Sequence, residues 1–245
     1  MLRRFSLISA WIVCLFPLAG GYGQSDAYVL HRILQRYTES YGGFRDADAL
    51  ASLSVEGTIE QDGRTYAFLM HKKRPGLIRY RLADGMNSVV AGYNGSSCWL
   101  RTQTDGEVTI QDLDGDAATA LRAQARFESP LFRHLEKSEN EVSLVERTTK
   151  GGESVYVIEV REPGGRTGRY HLEARTAHLL RHDELDASGE TTFQTLYRDY
   201  KEVEGFPFAH EVENRVADQT VSLAKVNTVE VNPGLLSFYF EKPRR

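Results

Sequence analysis

Two histidines four residues apart, His178 and His182, are a pair in this chain with the chemistry of metal ligands. On a helix that spacing would put both imidazoles within reach of one ion. Here the pair flanks Leu179-Leu180 in a run patterned as a strand, where four residues span about 13 Å. The expectation is two polar surface histidines and no metal. Asp112, Asp114 and Asp116 surround Gly115 as at the start of a calcium loop. The twelfth position counted from Asp112 is Ala123, so the bidentate carboxylate that closes such a loop is missing. A polar turn with Asp116 capping a helix is expected instead.

Nucleophilic and phosphate chemistry leave no trace in the motifs. There is no G-x-S-x-G elbow, no H-E-x-x-H and no P-loop lysine motif. No pairing of nucleophile and base stands out, so a secreted hydrolase ranks last among the readings. The chain is expected not to be an enzyme and to carry no cofactor. Its two cysteines, Cys14 and Cys98, exclude a disulfide scaffold and a cysteine zinc site.

Charged and aromatic residues offer binding rather than catalysis. Lys72-Lys73-Arg74 could meet an acidic head group or phosphate, or form a solvated turn before Pro75-Gly76. Arg79 and Arg81 alternate with Ile78, Tyr80 and Leu82 in one strand. If the sheet curls, an arginine there can point into the hollow and hold lid carbonyls or a head group; otherwise both face water. Tyr66, Phe68, Met70, Tyr80, Tyr93 and Trp99 fall on apolar strand faces. They line a ligand cavity or fill a core, and periodicity does not separate the two.

The elements that position these residues follow from the repeat of apolar positions. Val29, Leu30, Ile33, Leu34, Tyr37 and Tyr41 predict a helix over Asp26 to Tyr41, stopped by Gly42-Gly43. A short helical turn is expected from Asp46 to Ser52. From Leu53 the period becomes two, with Asp62-Gly63, Pro75-Gly76, Asp84-Gly85, Asn94-Gly95 and Asp105-Gly106 as turns. A helix is expected from Asp116 to Arg126, and a helical turn at His134 to Lys137. Alternating runs resume at Glu141 and continue to Glu230. The expectation is α+β, with about eleven or twelve strands and segregated helices.

The first segment reads as an address. Arg3-Arg4 precede an apolar run from Phe5 to Gly20, and Gly21-Tyr22-Gly23 offers a cleavage site. This is the layout of a secretory signal peptide over residues 1–23, followed by one domain over 24–245. The run is shorter than the roughly 20 residues of a transmembrane helix. Ile12-Val13 ahead of Cys14 do not make a lipobox. No later run approaches a membrane span, so none is expected in the mature protein. Cleavage removes two arginines and no acid from a chain of 245 residues with net charge −4 and pI about 6.0. A chain this acidic has no electrostatic footprint for nucleic acid.

Taken in order, several segments resemble the LolA-like periplasmic proteins, the outer-membrane lipoprotein-sorting family. They are Tyr41-Gly42-Gly43; Ser54-Val55-Glu56-Gly57-Thr58-Ile59; Lys73-Arg74-Pro75-Gly76-Leu77-Ile78-Arg79; and Tyr93-Asn94-Gly95 through Trp99. Ala125-Arg126-Phe127-Glu128-Ser129-Pro130-Leu131 follows, then Tyr200 to Phe208, Val229-Glu230-Val231-Asn232-Pro233 and Phe240-Glu241-Lys242-Pro243. The C-terminal half is longer than in the minimal carrier.

The resemblance implies a strongly curved, unclosed antiparallel β-barrel with an N-terminal helix and a mid-chain helical lid, here Ala117 to Phe132. It implies a periplasmic carrier that holds the acyl chains of a lipoprotein or lipid and delivers them toward the outer membrane. Its partners would be an inner-membrane donor and an outer-membrane receptor. The candidate cavity residues are Tyr66, Phe68, Met70, Tyr80, Tyr93 and Trp99, with Leu121, Leu131 and Phe132 from the lid. Arg79 takes the place of the family's lid-locking arginine. The alternative is an envelope sensor or scaffold that binds a regulatory protein through the same fold.

Overall fold

The computed structural model describes residues 22–42, 49–127, 129–132, 139–150 and 152–244. The leader expected over residues 1–23 lies outside the described residues as far as residue 21, and the cleavage point after Gly23 falls in the first turn of helix α1 (Tyr22–Ser40). Most of the helical turn expected at Asp46 to Ser52 also lies outside them. Ala49 is helical, but Ser52 already opens the first strand. The turn expected at His134 to Lys137 lies outside them entirely.

Strands β1 (Ser52–Gln61), β2 (Arg64–Lys73), β3 (Leu77–Asp84), β4 (Asn87–Tyr93), β5 (Cys98–Thr104) and β6 (Glu107–Leu113) form the first half of the sheet. Helix α2 (Gly115–Ala125) follows. The second half is β7 (Glu141–Lys150), β8 (Glu153–Arg161), β9 (Thr167–Glu173), β10 (Leu179–Leu185), β11 (Thr191–Val203), β12 (Phe206–Val216) and β13 (Gln219–Val231). A 3-10 turn, Ser237–Phe240, ends the chain's regular structure. The described residues thus hold thirteen strands, one or two more than the eleven or twelve expected.

All thirteen strands join one sheet in the order β6-β5-β4-β3-β2-β1-β13-β12-β11-β10-β9-β8-β7. Each half is a meander of hairpins. The halves meet where β1 pairs antiparallel with β13, Leu53 opposite Val231 and Gln61 opposite Ser222. Strands β6 and β7 are the two edges and do not pair with each other, so the strongly curved sheet stays unclosed.

Register fixes which side chains share a face, since opposite partners point the same way. Ile59 lies opposite Tyr66, and Met70 opposite both Val55 and Tyr80. This face carries both helices. Helix α1 buries Ile33, Leu34 and Tyr37 against Ile158, Val160, Leu172 and Leu179 of the second half. Each such side chain contributes about 1.5–3 kcal/mol by leaving water. Helix α2 buries Ala118, Leu121 and Ala125 against Ile78 and Cys98 of the first half. Between them, Leu53, Val55, Ile59, Phe68, Phe206 and Val231 form a central cluster.

Helix α2 begins one residue earlier than expected. Asp114 occupies the N-cap position without a capping side-chain bond, and Asp116 sits in the first turn. Its charge there faces the positive end of the helix dipole, so Asp116 is not the cap.

The opposite face is polar over the second half and strapped over the first. Arg79 lies opposite His71 and Gly92, and Gly92 opposite Trp99. The segment after Gly234 lies across these residues. Phe240 and Trp99 are fully buried, and the Trp99 indole N–H donates to the Phe240 carbonyl at 2.9 Å. Lys73 donates to the Leu235 carbonyl at 2.7 Å, and Lys242 meets Asp112 at 2.8 Å.

Candidate ligand cavity

An apolar cavity of about 330 Å³ opens between α1, the segment after α2 and the strands β11 and β12. One wall is aromatic: Tyr37 from α1 and Tyr41 just past its end face Tyr197 and Tyr200 from β11. Phe206, Phe208 and Val212 of β12 and Leu53 of β1 supply the floor. Phe127, Ser129 and Phe132 close it from the side of the lid segment.

The parts are held by specific bonds. The Tyr37 hydroxyl and Ser129 hydroxyl are hydrogen-bonded at 2.9 Å, and the Thr38 hydroxyl donates to the Phe132 carbonyl at 3.2 Å. These bonds fix the turn Ser129–Phe132 to α1. The Arg36 guanidinium donates to the carbonyls of Ala174 and Arg175, and Arg147 meets Asp26 at 2.7 Å. Both contacts dock α1 onto the second half of the sheet. The Tyr200 hydroxyl donates to the Leu179 carbonyl at 2.7 Å.

Electrostatically the wall is neutral. Burial pushes the Tyr37, Tyr41 and Tyr200 phenols upward, and pushes Tyr197 to about 12. All four stay protonated at neutral pH. The charged side chains at the cavity, among the described residues, are Lys72 and Arg74. Lys72 donates to the Arg126 carbonyl, and Arg74 Nε to the Leu50 carbonyl at 2.8 Å. Both cations stand over the Phe127 ring, at 4.9 and 4.8 Å from its centroid. Lys72 and Arg74 are therefore half-buried parts of the cavity lining and not a solvated turn.

The ten residues expected at a site divide among five places. Phe132 lines the cavity. Phe68 is buried in the central cluster, with Tyr66, Met70 and Tyr80 packed on it. Tyr93 and Leu121 belong to the cluster under α2, and Leu131 is fully buried beneath α1. Trp99 and Arg79 are on the other face of the sheet. Arg79 stacks on Tyr239, 4.3 Å from the ring centroid, and donates to its hydroxyl. It does not point into the hollow. The reason is parity: Ile78, Tyr80 and Leu82 take the helix-bearing face, which leaves the odd positions to the strap.

The tyrosine wall was not among the expected residues. Its signals were the four-residue spacing of Tyr37 and Tyr41 on the helix and the pair Tyr197 and Tyr200 in one strand.

The other chemical candidates resolve into structural contacts. His178 stacks on Tyr200 at 4.3 Å and His182 on Tyr170 at 4.4 Å, so the two imidazoles are held by different rings. Among the described residues, no three His, Cys, Asp or Glu side chains gather as a metal site. No helix among them is long and apolar enough to cross a membrane. Cys98 is buried against α2, and burial pushes its thiol upward.

No family model matches the chain, and no curated protein matches it by sequence. Solved structures do match. A DUF1329 family protein from Desulfovibrio piger aligns with TM-score 0.60 at 13% identity, over 86% of this chain and 97% of that one. A putative outer membrane lipoprotein-sorting protein domain from Vibrio parahaemolyticus aligns with TM-score 0.59 at 11% identity, over 87% and 97%. A LolA superfamily protein from Nitrosomonas europaea aligns with TM-score 0.55 at 12% identity, over 85% and 97%. The chain has a LolA-like fold.

Proposed function

We propose that this chain is a non-catalytic carrier that holds the acyl chain of a lipid or lipoprotein in the cavity beneath α1. The proposal places residues 1–23 as a cleaved signal peptide, residues 24–245 as one binding domain, and the mature protein in the periplasm. The observation that carries the reading is the apolar cavity of about 330 Å³ between α1, the segment after α2 and the sheet. An apolar cavity of about 150 Å³ admits benzene, so this one has room for a chain on the order of a dozen carbons. Each methylene moved from water into it contributes about 0.8 kcal/mol. The LolA-like fold supports the same reading.

The test is native mass spectrometry of the purified protein, with organic extraction of bound material and uptake of added lipid. The expected result is a one-to-one lipid adduct that is lost in Val212→Trp and Ala209→Trp, which fill the cavity, while the melting temperature is kept. A clean mass with no uptake, or uptake unchanged in both variants, overturns the reading. Copurification of an envelope protein in place of lipid would move it to the sensor or scaffold alternative.

A further inference from the structure

We infer that the outer side of the C-terminal strap docks on a bilayer surface, with Leu236 and Phe238 entering its interfacial region and the cations beside them meeting anionic head groups. The inference goes beyond the carrier reading and does not use the cavity. Leu236 is 62% exposed and Phe238 71%, although the 3-10 turn that carries Phe238 is otherwise packed down. The other aromatic residues of that turn point the opposite way. Tyr239 lies against His71 and Arg79, and Phe240 is fully buried at Trp99. The backbone is also fixed. The Tyr239 N–H donates to the Leu236 carbonyl at 3.1 Å, and the Glu241 N–H donates to the Phe238 carbonyl at 3.1 Å. Two apolar side chains are thus displayed to solvent on a pinned turn.

The surroundings select the partner. Lys73 donates to the carbonyl of Leu235, next to Leu236, and Arg79 stacks on Tyr239, next to Phe238. The row of the sheet beside the strap runs Arg81, Val90 and Arg101 across β3, β4 and β5. Arg81 is exposed, and no ion pair or hydrogen bond occupies it among the described residues. The acids of this face are engaged or set to one side. Asp112 pairs with Lys242, Glu241 accepts from Asn94, and Glu56 and Glu230 lie on β1 and β13. A chain of net charge −4 thus gathers cations around its exposed apolar pair. Apolar side chains flanked by lysine and arginine suit the water–lipid interface, where the former enter and the long cationic stems reach head groups. The pair protrudes and lines no groove, so a fluid surface that closes round it fits better than a second rigid one.

The experiment is flotation of the mature chain with vesicles of phosphatidylcholine, alone or mixed with phosphatidylglycerol. Binding to the mixed vesicles is expected. L236S/F238S should weaken it about tenfold, as loss of one buried apolar side chain already provides. The melting temperature should be kept, because both side chains are exposed. R81Q should weaken binding to the mixed vesicles about fivefold and leave plain vesicles unchanged. In F238W, the added indole emission should be quenched by lipids brominated on their chains, while that of buried Trp99 should not. No binding to either vesicle, or binding unchanged in L236S/F238S, overturns the inference. Binding that is lost in V212W, which fills the cavity, but kept in L236S/F238S assigns the contact to the cavity; it overturns the inference and leaves the carrier reading standing. A dimer in solution that L236S/F238S dissolves, with no vesicle binding, overturns it in favour of a second copy of the chain.

Discussion

Gly57 leaves open the space that the Phe68 ring fills: a Cβ on Gly57 would stand 2.8 Å from the ring and closer still to the Lys225 carbonyl oxygen. The two residues are register partners across β1 and β2, and Gly57 sits where the β1–β13 ladder bulges. Gly57→Ala should therefore destabilise by about 1–3 kcal/mol, the cost of overpacking. Phe68→Leu in the same chain should restore only part of that, since the carbonyl oxygen stays in the way. Thermal unfolding of the two single variants and the double variant checks this; an additive double would show that the ring and the glycine are independent.

Gly92 and Trp99 repeat the arrangement on the other face. A Cβ on Gly92 would lie 2.7 Å from the indole nitrogen and 2.3 Å from two of the ring carbons. Gly92→Ala should push the indole off the strand and break its bond to the Phe240 carbonyl. Trp99→Phe keeps the packing and removes the bond, leaving a buried carbonyl unpaired at a cost of about 1–3 kcal/mol. Hydrogen exchange at residues 235–242 should rise in both variants.

Phe240→Ala should cost about 3–5 kcal/mol, because the ring is fully buried and leaves a cavity. At this chain length each kcal/mol lowers the melting temperature by about 2–4 °C. A fall of less than a few degrees would show that the strap does not contribute to global stability. Lipid uptake should survive the change, since the strap and the cavity lie on opposite faces.

Acid should loosen the same strap. The His71 imidazole is held below its ordinary value of 6.5 by burial and then by the Arg79 guanidinium, with Glu230 opposing. Its ring packs against Tyr239 at 5.1 Å. A depressed histidine means that the unfolded chain binds the proton more readily. The stability it contributes is complete above the unfolded value and is lost as pH falls through the lower folded value. Protection of the strap amides, taken relative to their intrinsic exchange rates, should fall as pH drops below 6.5, and His71→Gln should flatten that dependence.

Glu213 acts at lower pH. Bonds from Arg215 at 2.6 Å and from Thr220, and a pairing with Arg198 at 2.8 Å, hold its carboxyl down to about 2 against an ordinary 4.5. Its stabilisation is present above pH 4.5 and is lost as pH falls toward 2. Glu213→Gln should be less stable than the parent at pH 7, and the difference should vanish near pH 2. Equilibrium urea unfolding across that range measures both limbs.

The sheet was legible because its signals are local. Alternation marks each strand locally, Asp-Gly and Asn-Gly turns punctuate the first half and other glycine turns most of the second, and every expected run became a strand. The site was not legible to the same degree. Phe68 and Phe132 both read as apolar, but only the packing of α1 against the segment after α2 decides that Phe132 meets Tyr41 at the cavity while Phe68 is buried over Gly57. Arg79 shows the same limit. Its alternation with Ile78 and Tyr80 separates two faces, but not which of them receives the helices and which the C-terminal strap. Lys72 and Arg74 looked like a turn because nothing near them in sequence announces Phe127, some fifty residues later, as their partner.

The meeting of β1 with β13 has a consequence for how the chain acquires its structure. Within each half, neighbouring strands are joined by short turns, and those hairpins form by closing small loops. The central ladder joins Leu53 to Val231, so nearly the whole chain lies between its partners. Such a pairing is slow, since the loop-closure entropy must be overcome before any contact rewards it. Strands β1 to β6 precede β13 along the chain and can pair before it arrives. Until β13 arrives, β1 is a ten-residue open edge with Leu53, Val55 and Ile59 uncovered. That interval is when the chain is most exposed to pairing with another copy of itself, and mutations that delay β13 should raise aggregation without altering the finished fold.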